Sequence, residues 1–364
     1  MSHFEERLEH DLAEIRTTVV EIADAVEHGV RSAIQALNSM DRDLAYATVL
    51  ADHPINRKAD EIDRLCHRFI AKHLPSAGHL RFISSVLRMN IGLERIGDYA
   101  VTICREVVVL EHPIEEPLLG KINTLGTSAL VMFRDAVTAF DQRDESLARK
   151  TMKLAAGVDS NFAEAFDTLC LEGQQGQSRV RDLFSKLSVI NMLERVSDQA
   201  KNLCEDVVFI LTGETKKRKP AKILFVDRSN TLFGPMACAI GRKAFPENGS
   251  FETAGLSPGE HRDSEFVTFM TDRGHNMDRY APNAVSTDVD ELDRYHAIVS
   301  LEGSVEDYLP RRPFHAVALT WSLPERPTAD MSPAEKSERY IEIHRELSAR
   351  IEELMQTLRG GRAS

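Results

Sequence analysis

LERIGDYAVTICREVV at residues 93–108 returns one hundred positions later as LERVSDQAKNLCEDVV at residues 193–208. Aligned without a gap, the two share Leu, Glu, Arg, Asp, Ala, Cys and a closing Val-Val. In each copy a Glu and an Asp stand four residues apart, Glu94 with Asp98 and Glu194 with Asp198, a spacing that puts both carboxylates on one helical face. Like charges so placed destabilise an isolated helix by roughly 0.2–0.5 kcal/mol, so a pair kept in both copies asks for a compensating cation. A solvated acidic face is the plainer alternative. Against it stand Leu93, Ile96, Leu193 and Val196, which hug the acids. Glu106 and Asp206 extend the polar stripe, but each step of four residues turns the face by about 40°. Only the Glu and Asp pairs are therefore placed to share a ligand.

Outward from these segments the chain reads as helix. Apolar residues from Leu8 and Leu12 through Ile15, Val19, Ile22, Val26 and Val30 to Leu37 recur at threes and fours, which predicts one long amphipathic helix. A second pattern runs from about residue 41 to Leu74, where Pro75 and Gly78 break it, and a third carries the first LER segment to about residue 110. After EHPIEEP at 111–117 the cycle repeats, with helices expected at 118–140, 144–171 and 179–211. The expected fold is multi-domain, with tandem all-α three-helix bundles at 1–110 and 118–214.

At 215–221 the composition shifts to a basic linker containing Lys216, Lys217, Arg218 and Lys219. It reads as an exposed connection between domains, with contact to an acidic partner or lipid surface as the alternative. Beyond it the period changes. Strand-like runs at 223–226, 250–254, 297–301 and 316–319 alternate with helical stretches at 235–244, 263–273 and 333–358, predicting an α/β domain with a parallel sheet over 222–360.

The chain has 364 residues, 42% of them hydrophobic, enough for more than one core. A formal net charge of -12 argues against nucleic acid as the main partner. No apolar run reaches the eighteen or so residues of a membrane span, and the acidic start lacks the features of a signal peptide, so a cytoplasmic protein is expected, peripheral to the inner membrane only through partners. Five cysteines without CxxC spacing read as buried thiols in a reducing compartment.

RFISSVLRMNIGLERIGDYA (81–100), LFSKLSVINMLERVSDQAKN (183–202) and FILTGE (209–214) resemble the PhoU family of phosphate-signalling proteins. The resemblance covers nearly the whole helical half. It implies acidic motifs that bind metal clusters or single divalent ions, and an inhibitory link between a high-affinity phosphate transporter and its sensor kinase. Carried over, the metal ligands are Glu94, Asp98, Glu194 and Asp198. Asp60, Asp63, Asp159 and Asp167 on the preceding helices are candidates to complete the sites. The implied cofactor is a divalent or trivalent ion, Mg, Mn, Fe or Zn, with all-oxygen donors favouring the harder ions. The implied partners are the transporter's ATPase subunit and a sensor histidine kinase, and a homodimer is compatible with this reading.

ILFVDRSNTLFGPMACAI (223–240), followed in order by TAGLSP (253–258), RYHAIVSLEGSVEDYLP (294–310) and TWSLPERP (320–327), resembles the low-molecular-weight protein tyrosine phosphatase and arsenate reductase family. In that family a cysteine opens the phosphate loop and an arginine closes it; here those places hold Asp227 and Phe233. The general-acid Asp before Pro becomes Glu325 followed by Arg326. Without the thiolate nucleophile and the bidentate guanidinium, a pseudophosphatase domain is expected. Cys238, on the following helix, reads as a packed thiol. A competing reading makes Asp227 the nucleophile of a haloacid-dehalogenase-type phosphatase, although that motif's second Asp is Ser229 here.

The leading expectation is a non-enzymatic, metal-binding regulator of phosphate uptake. The alternatives are a phosphatase using Asp227, a metal-assisted hydrolase at the carboxylate pairs, and a structural adaptor whose metals are staples.

Overall fold

The computed structural model describes residues 3–176, 178–215, 220–260, 264–277, 280–309, 313 and 316–358. The basic cluster at 216–219 lies outside them. The chain divides into two compact units at residue 216.

Among the described residues the first unit contains seven helices: α1 (His3–Ser39), α2 (Arg42–His73), α3 (Ala77–Val109), α4 (Leu118–Gln142), α5 (Glu145–Lys153), α6 (Ala155–Gln174) and α7 (Val180–Thr212). The spacing that predicts α1 is the spacing that buries it: Ile15, Val19, Ile22, Val26, Val30 and Leu37 are each at most 1% exposed. Every such Ile, Val or Leu contributes about 1.5–3 kcal/mol on burial. The hairpin turns that open α2 and α5 are built alike. Met40 and Arg143 take left-handed backbone, the next amides bond back to Ala36 and Ala139, and Asp41 and Asp144 cap the new helices by accepting from the Leu44 and Leu147 amides.

The duplication is therefore visible in turns as well as in helices. It departs from strict repetition in the middle helix. The helix expected over 144–171 is interrupted at Leu154, whose amide bonds to Thr151 and whose carbonyl accepts from both Gly157 and Val158. Gly157 weakens helix just there, by about 1 kcal/mol relative to Ala. In α2 the corresponding stretch carries Pro54 and stays continuous.

The two repeats share a core. α3 packs along α7, α1 lies against α4, and one apolar cluster runs without a break from Leu8 to Val208. Even the connecting segment 111–117 takes part, through Ile114, which is 4% exposed. Arg88 on α3 reaches Asp206 on α7 through Nε at 2.8 Å and lies over the Phe209 ring.

The described residues of the second unit form a four-stranded, all-parallel sheet in the order β2-β1-β3-β4, with β1 (Ala221–Asp227), β2 (Gly249–Gly255), β3 (Ala297–Ser300) and β4 (Val317–Thr320). Alternation along β1 sends Ile223 and Phe225 to one face, against α8 (Phe233–Ala244), α9 (Ser264–Asp272) and α11 (Pro333–Leu358). Leu224 and Val226 go to the other face, with Leu292 of the short α10 (Val289–Asp293), Tyr295 and Tyr308. β1 has neighbours on both sides, so its carboxyl end is the crevice where doubly wound sheets place ligands. Asp227 is the last residue of that strand.

Candidate functional site

The carboxylate pairs lie on α3 and α7. Glu94, Asp98 and Asp198 are exposed and Glu194 is half-buried, so each pair faces outward beside a core built from Leu93, Ile96, Leu193 and Val196. Neighbouring helices crowd both pairs with further acid. On α2 the companion is Asp52: burial and then the Asp52 charge push the Asp98 carboxyl above its ordinary value, with Arg105 pulling back. On α6 it is Asp159: burial, then Asp198, then Asp159 push Glu194 up, with Arg195 opposing.

Asp52 was not among the residues expected from the sequence. Of those that were, Asp159 joins its pair, whereas Asp63 is engaged with the Asn90 amide at 3.0 Å, and Asp60 and Asp167 are exposed. Matching DRLC (63–66) to DTLC (167–170) places Asp159 opposite Ile55 and Asp52 opposite Ala156. The two repeats thus draw their companion acid from different turns, which no gapless alignment reveals. The available signal was Asp52 and Asn56 at helical spacing.

Asp52 and Asn56 also test whether a cation suits the place. The Asn56 amide donates to Asp52 Oδ2 at 2.8 Å, which leaves Asp52 Oδ1 and Asn56 Oδ1 buried without a donor. Buried acceptors without donors are costly, and a hard cation satisfies them as well as the raised Asp98 carboxyl. The oxygen donors of Asp98, Asp52 and Asn56 are therefore of the type a hard metal ion takes. Among the described residues no three His, Cys, Asp or Glu side chains stand at metal-ligating spacing, so each carboxylate pair is at most an open half-site. A bound ion would take its remaining ligands from water or from another molecule.

The loop after β1 is organised around its own carboxylate. Asp227 is fully buried; its Oδ2 accepts from the Gly234 amide at 2.8 Å, and its Oδ1 accepts from the Asn230 amide. Burial pushes this carboxyl above the ordinary range, against the pull of the two amides and of Arg326. Asn230, in left-handed backbone, is locked by Thr253 and Asn283. Gly234 admits no side chain, since a Cβ there would lie 2.0 Å from Thr253 Oγ1.

Phe233 does not leave the loop without a cation. Arg326 lies over the Phe233 ring at 5.1 Å, donates to Ser229 Oγ at 3.0 Å and reaches Glu302 at 3.4 Å. The guanidinium has come from the later loop, beside an exposed Glu325. Both Asp227 oxygens are turned into the loop, each accepting one of its amides. Cys238 is a packed thiol that bonds the Phe251 carbonyl at 3.0 Å, and burial raises it to about 12. Cys66, Cys104 and Cys204 are likewise buried, but Cys170 is exposed on α6, contrary to the sequence expectation.

A family model described as the PhoU domain matches residues 19–107 and again 122–207. The chain is 30% identical over 212 residues to the phosphate-specific transport system accessory protein PhoU homolog of Pseudomonas putida, covering 58% of this chain and 83% of that protein. It is 28% identical over 212 residues to the accessory protein PhoU of Escherichia coli strain K12, covering 58% and 88%. The crystal structure of PhoU from Pseudomonas aeruginosa superposes with a TM-score of 0.55 at 28% identity, covering 57% of this chain and 99% of that one. Elsewhere in the chain the likenesses are weaker. The tyrosine phosphatase Wzb from Escherichia coli K30 gives a TM-score of 0.31 at 15% identity, covering 38% and 99%. A thioredoxin-dependent arsenate reductase of Corynebacterium glutamicum gives 0.32 at 19%, covering 40% and 65%. One matched domain per repeat, each holding its own carboxylate pair, together with relatives matched over more than four-fifths of their length, makes this chain a member of the PhoU family.

Proposed function

We propose that the helical unit is a metal-binding regulator of phosphate uptake and phosphate-starvation signalling. It acts by binding the ATPase subunit of a phosphate transporter, a sensor histidine kinase, or both, and the α/β unit is a pseudophosphatase domain appended to it. The observation that carries the reading is the pairing of a PhoU-domain match with an outward-facing carboxylate pair in each repeat. A half-site open to the outside suits a regulator that engages a partner, because ligands missing from the ion are supplied on binding. No described helix is long and apolar enough to cross a membrane, so any influence on transport passes through a protein that does span it.

The pseudophosphatase reading rests on Asp227, whose two oxygens already accept the amides of its own loop. The experiment for the regulator is deletion of the gene in phosphate-rich medium: starvation signalling or phosphate uptake should rise. Unchanged uptake and signalling would contradict it. For the second unit, the full chain is assayed on aryl phosphates, phosphotyrosine peptides and arsenate with and without added metal. No turnover is expected; turnover abolished by Asp227→Asn would establish the phosphatase alternative.

A further inference from the structure

Gapless alignment of α3 with α7 sets Phe82 and Val86 opposite Asp182 and Lys186. All four are buried: Phe82 is 7% exposed, Val86 0%, and Asp182 and Lys186 4% each. The second repeat thus holds two charges where the first holds apolar core. A buried charge is costly unless a partner compensates it.

Lys186 is compensated within the protein. Its Nζ donates to Glu172 on α6 and to Ser178 Oγ at 2.9 Å, and the Ser178 hydroxyl donates to the same carboxylate. Asp182 is not. Among the described residues its carboxylate accepts no hydrogen bond, and its one ionic neighbour is His112 Nδ1 at 3.5 Å. Its oxygens are not sealed from solvent. The side chain is 6% exposed, and the residue lines a cavity of about 580 Å³ between the connection after α3, the end of α6 and the start of α7.

The remaining walls define what fits there. Glu115 and Glu116, both exposed, join Asp182 and Glu172 as four carboxylates against Lys186 and Arg179. Glu172 holds Lys186 and Glu111 holds Arg179, so neither cation is left for Asp182. Pro113, Pro117, Leu118 and Leu171 add apolar surface. A metal ion does not suit this lining, since among the described residues no three His, Cys, Asp or Glu side chains stand at ligating spacing. A cation on an apolar stem suits both parts of it. Its N–H groups donate to Asp182 while its methylenes cover the prolines and leucines, and the volume is that of a small-molecule site.

We infer that this cavity binds an alkylammonium or guanidinium group, held by Asp182 and drawn in by Glu115 and Glu116. His112, with its side chain 68% exposed, turns aside into solvent as the ligand enters. Occupancy braces the end of α6 against the start of α7, the two helices that carry Asp159 and the pair Glu194 and Asp198.

The test is calorimetric titration of the full chain with 1,5-diaminopentane and, separately, with N-acetyl-lysine amide at physiological salt. At least one of them should bind saturably, one to one. The diamine binding alone identifies a free small molecule as the ligand; binding of the capped lysine identifies a basic side chain of a partner protein. Asp182→Asn keeps size and removes the charge. It should weaken binding by about tenfold or more, because a hydrogen bond to a charged group is lost. Glu94→Gln, Asp98→Asn, Glu194→Gln and Asp198→Asn together should leave the affinity unchanged. Binding of neither probe, full affinity in the Asp182 variant, or loss in the fourfold variant instead overturns the site. Amide NMR of the unsubstituted chain needs no variant to fold: on adding the binding probe, resonances of residues 112–118 and 178–186 should move. Shifts confined to other residues also overturn it.

Discussion

Asp52 Oδ1 lies 3.0 Å from the point that a Cβ on Gly97 would occupy. The missing side chain is what lets the α2 carboxylate approach the α3 backbone beside Asp98, and it makes the first half-site sensitive to a single methyl group. Gly97→Ala adds about 1 kcal/mol of intrinsic helix stability, while its methyl presses on Asp52 by only a few tenths of an ångström. The variant should fold as well as the parent but lose at least tenfold in metal affinity at the first pair, with the Glu194 and Asp198 pair unaffected. Elemental analysis against thermal unfolding separates the two effects. Unchanged metal content would remove Asp52 from the site.

The four carboxylates can be tested together. Replacing Glu94 and Glu194 by Gln, and Asp98 and Asp198 by Asn, keeps size and removes charge and most of the ligating power. The metal bound at the carboxylate pairs should be lost. Because the pairs are mutually repulsive and mostly exposed, stability without metal should hold or rise slightly, by a few tenths of a kcal/mol. Equal metal content in variant and parent would falsify the assignment.

The shared core of the repeats carries its own expectation. Phe133 on α4 is fully buried in the cluster that spans α1 to α7. Phe133→Ala should cost about 3–5 kcal/mol. Since α3 packs on α7 and α1 on α4, amide exchange should accelerate in α1–α3 as well as in α4–α7. Acceleration limited to the second repeat would mean the two fold independently.

Asp227 gives the second unit a pH dependence of defined sign. Burial raises its folded carboxyl above the ordinary value, so the folded chain binds this proton more tightly than the unfolded chain does. As pH falls through the raised value toward the ordinary carboxylate value, this group adds stability, and above that range it withholds it. Asp227→Asn cannot titrate. Wild-type stability relative to the variant should therefore increase on acidification, measured by denaturant unfolding at several pH values. A constant difference would show that Asp227 is ionised as readily in the folded state as in the unfolded one.

Much of this was legible in the sequence because the physics is local. Periodic apolar residues gave α1, α3 and α7, and the four-residue spacing placed each Glu and Asp pair on one face. Alternation and short apolar runs gave the parallel sheet. What escaped were contacts set by tertiary geometry. Asp52 sits on a neighbouring helix at a position that holds Ala156 in the second repeat. The break at Leu154 lies beside Gly157 in an otherwise good helical pattern, and a single Gly does not by itself end a helix. Arg326 lies 93 positions beyond Phe233, and only the fold shows that its guanidinium covers the ring standing where the phosphate clamp was expected. Inward-facing Asp227 oxygens are equally invisible to a motif, which reports residue type and not which way a lone pair points.

The division of labour between the units gives the last expectation. The PhoU-domain matches end at residue 207, and both carboxylate pairs, with Asp52 and Asp159, lie before it. Regulation by partner binding should therefore belong to residues 1–214. In cells lacking the gene, a truncated copy encoding only those residues should restore phosphate-replete repression, and as bait it should retain the transporter ATPase or the sensor kinase. The α/β unit, with its loop satisfied by Asp227 and covered by Arg326, should retain neither. Metal removal by the fourfold carboxylate variant should weaken partner retention without unfolding the helical unit. Recovery of the ATPase or kinase by the second unit alone, with nothing on the first, would reverse this assignment and make the phosphatase-like domain the docking module.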